Sequence, residues 1–126
     1  EPGAGFQWEE VDFSLIKMKH IDSLQGAMPC YGLMMNKQNH CCFFTADTQF
    51  NPEYLDKFYR TADVIFHDCE LSEVSTSVHA RYEQLCLLPP EIKAKMWLYH
   101  YQPVPLPDAN KDGFLGFVFC GQVFNF

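Results

Sequence analysis

Positive charge is scarce in this 126-residue sequence, which has nine Lys and Arg residues against 16 Asp and Glu residues. The formal net charge of −7 argues against a broad electrostatic attraction to nucleic acid, because that attraction requires basic side chains facing phosphates. Carboxylates gathered around a divalent cation would contribute to the same negative total. The charge therefore disfavours a nucleic-acid partner but remains compatible with a phosphate bound through a metal.

Long apolar runs are also missing, and none approaches the length of about 20 residues that spans a bilayer, so no membrane segment is predicted. The six cysteines, at positions 30, 41, 42, 69, 86 and 120, contain no CxxC spacing, which favours reduced core thiols. Without an Asn-x-Ser/Thr site or a signal peptide, the sequence predicts a cytoplasmic protein. It begins at Glu1 without Met, which suggests that preceding residues were removed.

Aromatic and other apolar side chains are abundant, at 16% and 48% of the residues, and predict one domain over residues 1–126. Residues 13–19 alternate apolar and polar side chains, which predicts a half-buried strand that ends at His20. Residues 31–35 and 40–45 predict a hairpin about the Asn-rich segment between them.

The second half of the sequence alternates helical and strand patterns. Asn51-Pro52-Glu53 is typical of a helix start, and an apolar stripe follows at Leu55, Phe58, Tyr59 and Ala62. Residues 63–67 predict a strand, residues 78–88 a second helix, residues 91–95 a helical turn, residues 96–100 another strand, and residues 114–120 with 123–126 a terminal hairpin. This alternation predicts an α/β protein with a mixed sheet flanked by helices.

Three residues that can bind a metal lie where predicted strands end, namely His20, Asp47 and His100. Strand ends converge on one edge of an α/β sheet, so residues distant in sequence can meet there. Imidazole nitrogen and carboxylate oxygen suit Zn²⁺, Mn²⁺ or Fe²⁺. A histidine at a strand end is more often a polar surface residue, so spacing alone leaves both interpretations open.

Short motifs around these residues occur in a distinctive order. They are His20 followed by Tyr31-Gly-Leu-Met, then Phe43-Phe-Thr-Ala-Asp47-Thr, Ala62-Asp-Val-Ile-Phe-His67-Asp-Cys-Glu, Val78-His79-Ala and Trp97-Leu-Tyr-His100-Tyr. Together they resemble the later motifs of the metallo-β-lactamase superfamily in its ribonuclease Z branch. The resemblance covers about residues 13–101.

This resemblance implies the C-terminal half of a metallo-β-lactamase αββα sandwich, with His20, Asp47 and His100 as metal ligands. His67-Asp68-Cys69-Glu70 stands where the branch has His-Glu-Ala-Thr, and His79-Ala80-Arg81 stands where it has His-Ser-Thr. By resemblance, His67 would protonate the leaving oxygen, Asp68 would orient it, and His79 would contact the scissile phosphate.

The superfamily's upstream His-x-His-x-Asp-His motif is missing, because no two histidines here are separated by one residue. The resemblance therefore implies a partial domain whose upstream half was removed, lies on another chain or never existed. If the chain is the whole protein, its remaining ligands would come from a second chain or another protomer. With them, the site would hold two divalent metals, with zinc favoured over manganese or iron.

The resemblance implies a metal-dependent hydrolase that uses a metal-activated water on a phosphodiester, either RNA or a cyclic nucleotide. One alternative is a truncated, non-enzymatic half-fold that binds a protein partner through its exposed sheet edge. Another is hydrolysis of a non-phosphate ester or a lactam.

Two further patterns carry no function in this reading. Asp108-x-Asn110-x-Asp112-Gly113 copies the first half of an EF-hand loop, but Phe119 at the twelfth position cannot supply the bidentate carboxylate. We interpret it as a turn. Cys69 lies between two carboxylates, which disfavours a thiolate, and we interpret it as a buried, inert residue.

Overall fold

The computed structural model describes residues 4–23 and 26–125. Within these ranges, seven β-strands form one mixed sheet in which each strand pairs with its neighbours in chain order. The elements are β1 (Gly5–Trp8), β2 (Val11–Ser23), β3 (Gly26–Lys37), β4 (His40–Phe44), α1 (Pro52–Thr61), β5 (Val64–Asp68), α2 (Tyr82–Leu85), α3 (Pro90–Lys93), β6 (Met96–Tyr99) and β7 (Gly116–Phe117). This architecture confirms the predicted mixed sheet with flanking helices.

The sheet changes character at β4. Strands β1 to β4 form an antiparallel meander, whereas β4 to β7 run parallel. The hairpin between β3 and β4 is confirmed: Lys37 pairs with His40, and Gln38 takes a positive φ of 53° in the turn. The parallel half places the carboxyl ends of β4, β5 and β6 at one edge of the sheet.

Helix α1 covers the parallel half of the sheet. It begins at Pro52, as predicted, because proline's missing N–H costs nothing at the first helical position. Leu55 and Tyr59 are almost fully buried, and the Tyr59 ring packs on Phe43 of β4 with 6.2 Å between centroids. The predicted apolar stripe is therefore the face that forms the core.

The predicted helix over residues 78–88 is wrong at both ends, because only Tyr82–Leu85 is helical. The backbone N–H of Ala80 donates to Thr48 O at 2.8 Å, and its carbonyl accepts from Glu70 N at 2.7 Å. These bonds to distant segments replace the local bonds of a helix, so residues 78–81 lie outside α2.

Two strand predictions also need correction. Strand β2 does not end at His20 but continues to Ser23, with a register shift between Met18 and Ile21. The C-terminal hairpin does not form in the described residues, since β7 pairs in parallel with β6. Phe124 instead packs edge-on against Phe66, with 4.8 Å between centroids. Residue 126, the end of the predicted hairpin, lies outside the described residues.

Among the residues that the structure describes, no helix has the length and apolar character needed to cross a membrane.

Candidate metal centre

Carboxylates and imidazoles gather at the carboxyl edge of the parallel strands. Asp47 follows β4, Asp68 is the last residue of β5, and His100 directly follows β6. The backbone is strained at two points beside the cluster, because Ala46 and His100 have positive φ values of 52° and 65°. Such conformations persist only where the surrounding structure enforces them, and they concentrate at functional sites.

Asp68 is the centre of the cluster. Its carboxylate is fully buried, and Oδ2 accepts a hydrogen bond from Thr48 N at 2.9 Å and lies 2.6 Å from His79 Nδ1. Oδ1 lies 3.1 Å from His100 Nδ1. The Asp68 N–H donates to Thr45 Oγ1 at 3.0 Å, which holds the end of β5 against the loop after β4. A buried carboxylate without such partners would be strongly destabilising.

Asp47 faces the same space from a more exposed position. Its Oδ1 is 3.4 Å from His100 Nδ1, and its Oδ2 is 3.7 Å from His20 Nε2. One ligand atom from each of Asp47, Asp68, His79 and His100 lies within 4.8 Å of the other three. Two carboxylates and two imidazoles form a donor set that fits a divalent transition metal.

The His20 ring borders this group in an orientation suited to a ligand. Its Nδ1 is 2.9 Å from Val78 O. A carbonyl oxygen can only accept, so Nδ1 carries the hydrogen, and Nε2 is the ring nitrogen that faces Asp47. Metal-binding histidines commonly donate their second nitrogen in this way.

His79 lies between the other two histidines of the site. Its ring centroid is 5.0 Å from that of His20 and 4.9 Å from that of His100. Only 17% of its side chain is exposed. The hydrogen bonds of Ala80 to Thr48 and Glu70 hold the segment that carries His79 beside the cluster.

The structure places His67 away from the cluster. Its side chain is fully buried, with Nε2 2.7 Å from Tyr59 Oη and Nδ1 2.7 Å from the Asp68 carbonyl. Burial lowers the pKa of His67, which favours the neutral ring. Both ring nitrogens are thus engaged in the core beneath α1. Of the six site residues predicted from sequence, the structure brings together the other five.

Sequence reasoning missed a buried anchor for the loop that carries His79. Glu70 is fully buried, and its Oε1 accepts a hydrogen bond from Thr76 N at 3.1 Å. Burial alone raises the pKa of Glu70, but hydrogen bonds from Thr76 and Ser72 outweigh it and hold the pKa below its usual value. No local pattern predicts this contact, which depends on how residues 71–79 fold back.

The mixed sheet and its helices match about half of the metallo-β-lactamase fold. The chain superposes on the metallo-β-lactamase fold protein YhfI from Bacillus subtilis with a TM-score of 0.65 and 19% sequence identity, over 93% of this chain and 49% of that one. It also superposes on unliganded yeast PDE1 with a TM-score of 0.57 and 14% identity, over 91% of this chain and 41% of that one. At these identities, both likenesses show the fold alone.

The family described as Anti-Pycsar protein Apyc1 matches residues 1–124, and the chain belongs to it. The Anti-Pycsar protein Apyc1 of Paenibacillus harenae is 37% identical over 91 residues, which are 69% of this chain and 33% of that protein. The chain thus spans about a third of the length of this curated relative. A closer relation to the ribonuclease Z branch stays a prediction.

Proposed function

We propose that the full-length protein containing this chain is a metal-dependent phosphodiesterase that hydrolyses cyclic nucleotides. The observation that carries the proposal is that His20, Asp47 and His100 approach one another at the carboxyl edge of the parallel strands, with Asp68 and His79 beside them. Membership of the anti-Pycsar family supports the cyclic-nucleotide substrate. The net charge of −7 favours a small nucleotide over RNA, which usually requires an extended basic surface.

His20, Asp47 and His100 are the residues that would hold the metal, and zinc fits their nitrogen and oxygen donors best. The anchored His20 ring presents Nε2 toward Asp47, and Asp47 lies within 3.4 Å of the His100 ring. When bound, a divalent metal supplies Lewis-acid activation of water and of the phosphoryl oxygen.

Asp68 and His79 form the proton-handling pair in this proposal. The Asp68 carboxylate is fixed by Thr48 N, and it holds His79 through Nδ1 at 2.6 Å. Histidine can gain and lose a proton near neutral pH, and an adjacent carboxylate fixes the ring and stabilises its charged form. As the water oxygen bonds to phosphorus and releases a proton to solvent, one P–O ester bond of the cyclic phosphate breaks. Protonated His79 donates its proton to the leaving oxygen and then regains one from solvent. His67 has no role in this step, because both of its nitrogens are engaged in the core.

The remaining ligands are proposed to come from outside these 126 residues. The chain covers 33% of the Paenibacillus harenae relative, which leaves room for an upstream half that carries the second part of the site. A second chain or protomer is the alternative source. The cytoplasm is the proposed location, since all six cysteines are free thiols.

The experiment is hydrolysis of 3′,5′-cyclic nucleotides by the full-length protein, before and after chelation, with metal content measured on the same samples. We expect chelation to abolish turnover and a divalent metal to restore it. Asp47→Ala should lose both metal and activity. Asp68→Asn should keep the metal but lose turnover by about 10²–10⁴-fold, the usual contribution of general acid–base catalysis.

The matched control is Asp108→Asn, which changes an exposed carboxylate in the turn that resembles half an EF-hand. It should change neither metal content nor turnover. A metal-loaded protein that hydrolyses no cyclic nucleotide, or an Asp47→Ala variant with full activity, would contradict the proposal.

A further inference from the structure

A cavity of about 420 Å³ opens beside the metal centre. It lies between the C-terminal end of β2, the start of β3 and the start of α1. His20 lines it, and the same side chain presents Nε2 at 3.7 Å from Asp47. The cavity and the ligand cluster are therefore adjacent, and the His20 side chain contacts both. Its lining is mostly apolar with a few polar groups, which is the usual character of a small-molecule site.

The walls of the cavity are held in place by hydrogen bonds. Gln49, in the loop before α1, donates its backbone N–H to Lys19 O at 2.7 Å and its side-chain Nε2 to His20 O at 2.6 Å. These bonds tie β2 to the loop before α1 at the register shift between Met18 and Ile21. A cavity between two tethered elements is preformed, which lowers the entropic cost of binding.

The side chains in the cavity suit a flat aromatic ring. Tyr54 of α1 is 41% exposed, and its ring makes a T-shaped contact with Phe58 that fixes its orientation. Met28 of β3 is 60% exposed and adds a polarisable side chain, with Pro29 beside it. An aromatic face and a thioether together form a platform on which any nucleobase can stack.

A side-chain amide in the same cavity is available to bind the edge of a base. Asn51 occupies the N-cap position of α1, yet its side chain makes no capping hydrogen bond. A carboxamide carries both donors and acceptors and can pair with the edge of a nucleobase.

The rim carries positive charge in an otherwise acidic chain. Lys17 and Lys19 are exposed there, although Asp22 lies 3.7 Å from Lys19 and offsets part of its charge. These lysines favour an anionic ligand over a neutral apolar one.

We infer that this cavity is the nucleobase subsite, so that Tyr54 stacks on the base and Asn51 contacts its edge while the cyclic phosphate occupies the metal centre. The inference rests on the proposed cyclic-nucleotide phosphodiesterase function and adds the part of the molecule that recognises the base. Recognition of the base would then depend on the start of α1, the end of β2 and the start of β3.

The test compares two substrates of the full-length, metal-loaded protein: a 3′,5′-cyclic nucleotide and the matching abasic cyclic ribose phosphate. Tyr54→Ala should lower the preference for the nucleotide, measured as the ratio of the two kcat/KM values, by about tenfold, as expected for loss of one stacking contact. Tyr54→Phe keeps the ring and should keep the preference. Asn51→Ala should change the order of preference among the four common bases.

Phe119→Ala is the control, because Phe119 is an exposed aromatic residue that lines a different surface. An unchanged preference in Tyr54→Ala, or an equal loss on both substrates, would overturn the subsite.

If the wild-type protein hydrolyses neither substrate, the proposed function fails, and the subsite is judged separately by NMR titration of the protein with a nucleoside monophosphate. Shifts of α1 resonances that disappear in Tyr54→Ala would support it, and their absence in the wild type would overturn it.

Discussion

Replacing Tyr59 with Phe removes one oxygen atom from a buried pair. The Asp68 carbonyl can only accept, so His67 Nδ1 carries the hydrogen and donates to it at 2.7 Å. Nε2 of the neutral ring is then an acceptor, and the Tyr59 hydroxyl donates to it at 2.7 Å. Burial raises the pKa of Tyr59, so the phenol keeps its proton. The variant leaves His67 Nε2 buried with no donor.

The cost follows from this unsatisfied nitrogen. Tyr59 is 1% exposed and His67 is fully buried, so water does not replace the lost donor without a change in packing. An unsatisfied buried polar group costs about 1–3 kcal/mol, and the hydroxyl leaves little space behind it. We therefore expect the free energy of unfolding to fall by about 1–3 kcal/mol, with the hydrolytic activity of the folded protein retained.

Urea unfolding of wild type and variant measures the free energy, and kcat/KM on a cyclic nucleotide measures the activity. Tyr54→Phe is the matched control, because it removes a hydroxyl from a partly exposed ring and should cost less than about 0.5 kcal/mol. The opposite outcome, unchanged stability with a large loss of turnover, would refute the structural role of His67 and restore it as a catalytic residue.

Two further substitutions test the core, and one alkylation measurement tests the thiols. Leu55→Ala truncates a side chain that is 1% exposed and should cost about 2–5 kcal/mol in urea unfolding, whereas Leu87→Ala, at 78% exposure, should cost less than about 0.5 kcal/mol. Gly32→Ala places a Cβ 2.8 Å from Phe44 O and 2.9 Å from Thr45 O, so it should lower the free energy of unfolding by about 1–3 kcal/mol. Stability equal to that of the wild type would contradict this close approach. Burial raises the pKa of the Cys42 thiol to about 12, so roughly one such thiol in 10⁴ is ionised at pH 8. Alkylation of Cys42 should therefore be far slower than alkylation of the exposed Cys120. Peptide mass spectrometry measures both rates.

Local patterns in the sequence were sufficient to predict α1 and the hairpin between β3 and β4. Pro52 and the spacing of Leu55 and Tyr59 predict α1 and its buried face, and the structure confirms both. The hairpin between β3 and β4 follows from a turn between two apolar runs. In each case, neighbours in sequence determine the conformation.

The segment before α2 could not be predicted in the same way. Apolar residues recur at helical spacing between Val78 and Leu88. However, Ala80 is held by hydrogen bonds to Thr48 and Glu70, which are distant in sequence. Tertiary contacts override local propensity there. The same contacts bring His79 to Asp68, so this part of the candidate site depends on the fold.

The orientation of His67 could not be inferred from its strand alone, because β5 carries apolar side chains on both faces. Side chains two residues apart in a strand lie on the same face, and His67 is two residues after Ile65. Ile65 is fully buried. The structure shows that this shared face is the core, whereas the motif resemblance had suggested a catalytic role for His67.

Anomalous diffraction at the zinc absorption edge, from crystals of the full-length protein grown with zinc, tests the metal centre most directly. We expect a peak within about 2.0–2.2 Å of an Asp47 oxygen and of imidazole nitrogens of His20 and His100, as zinc ligands require. No peak at this edge of the sheet, or a peak coordinated only at the Asp108 turn, would contradict the metal centre on which the proposed function rests.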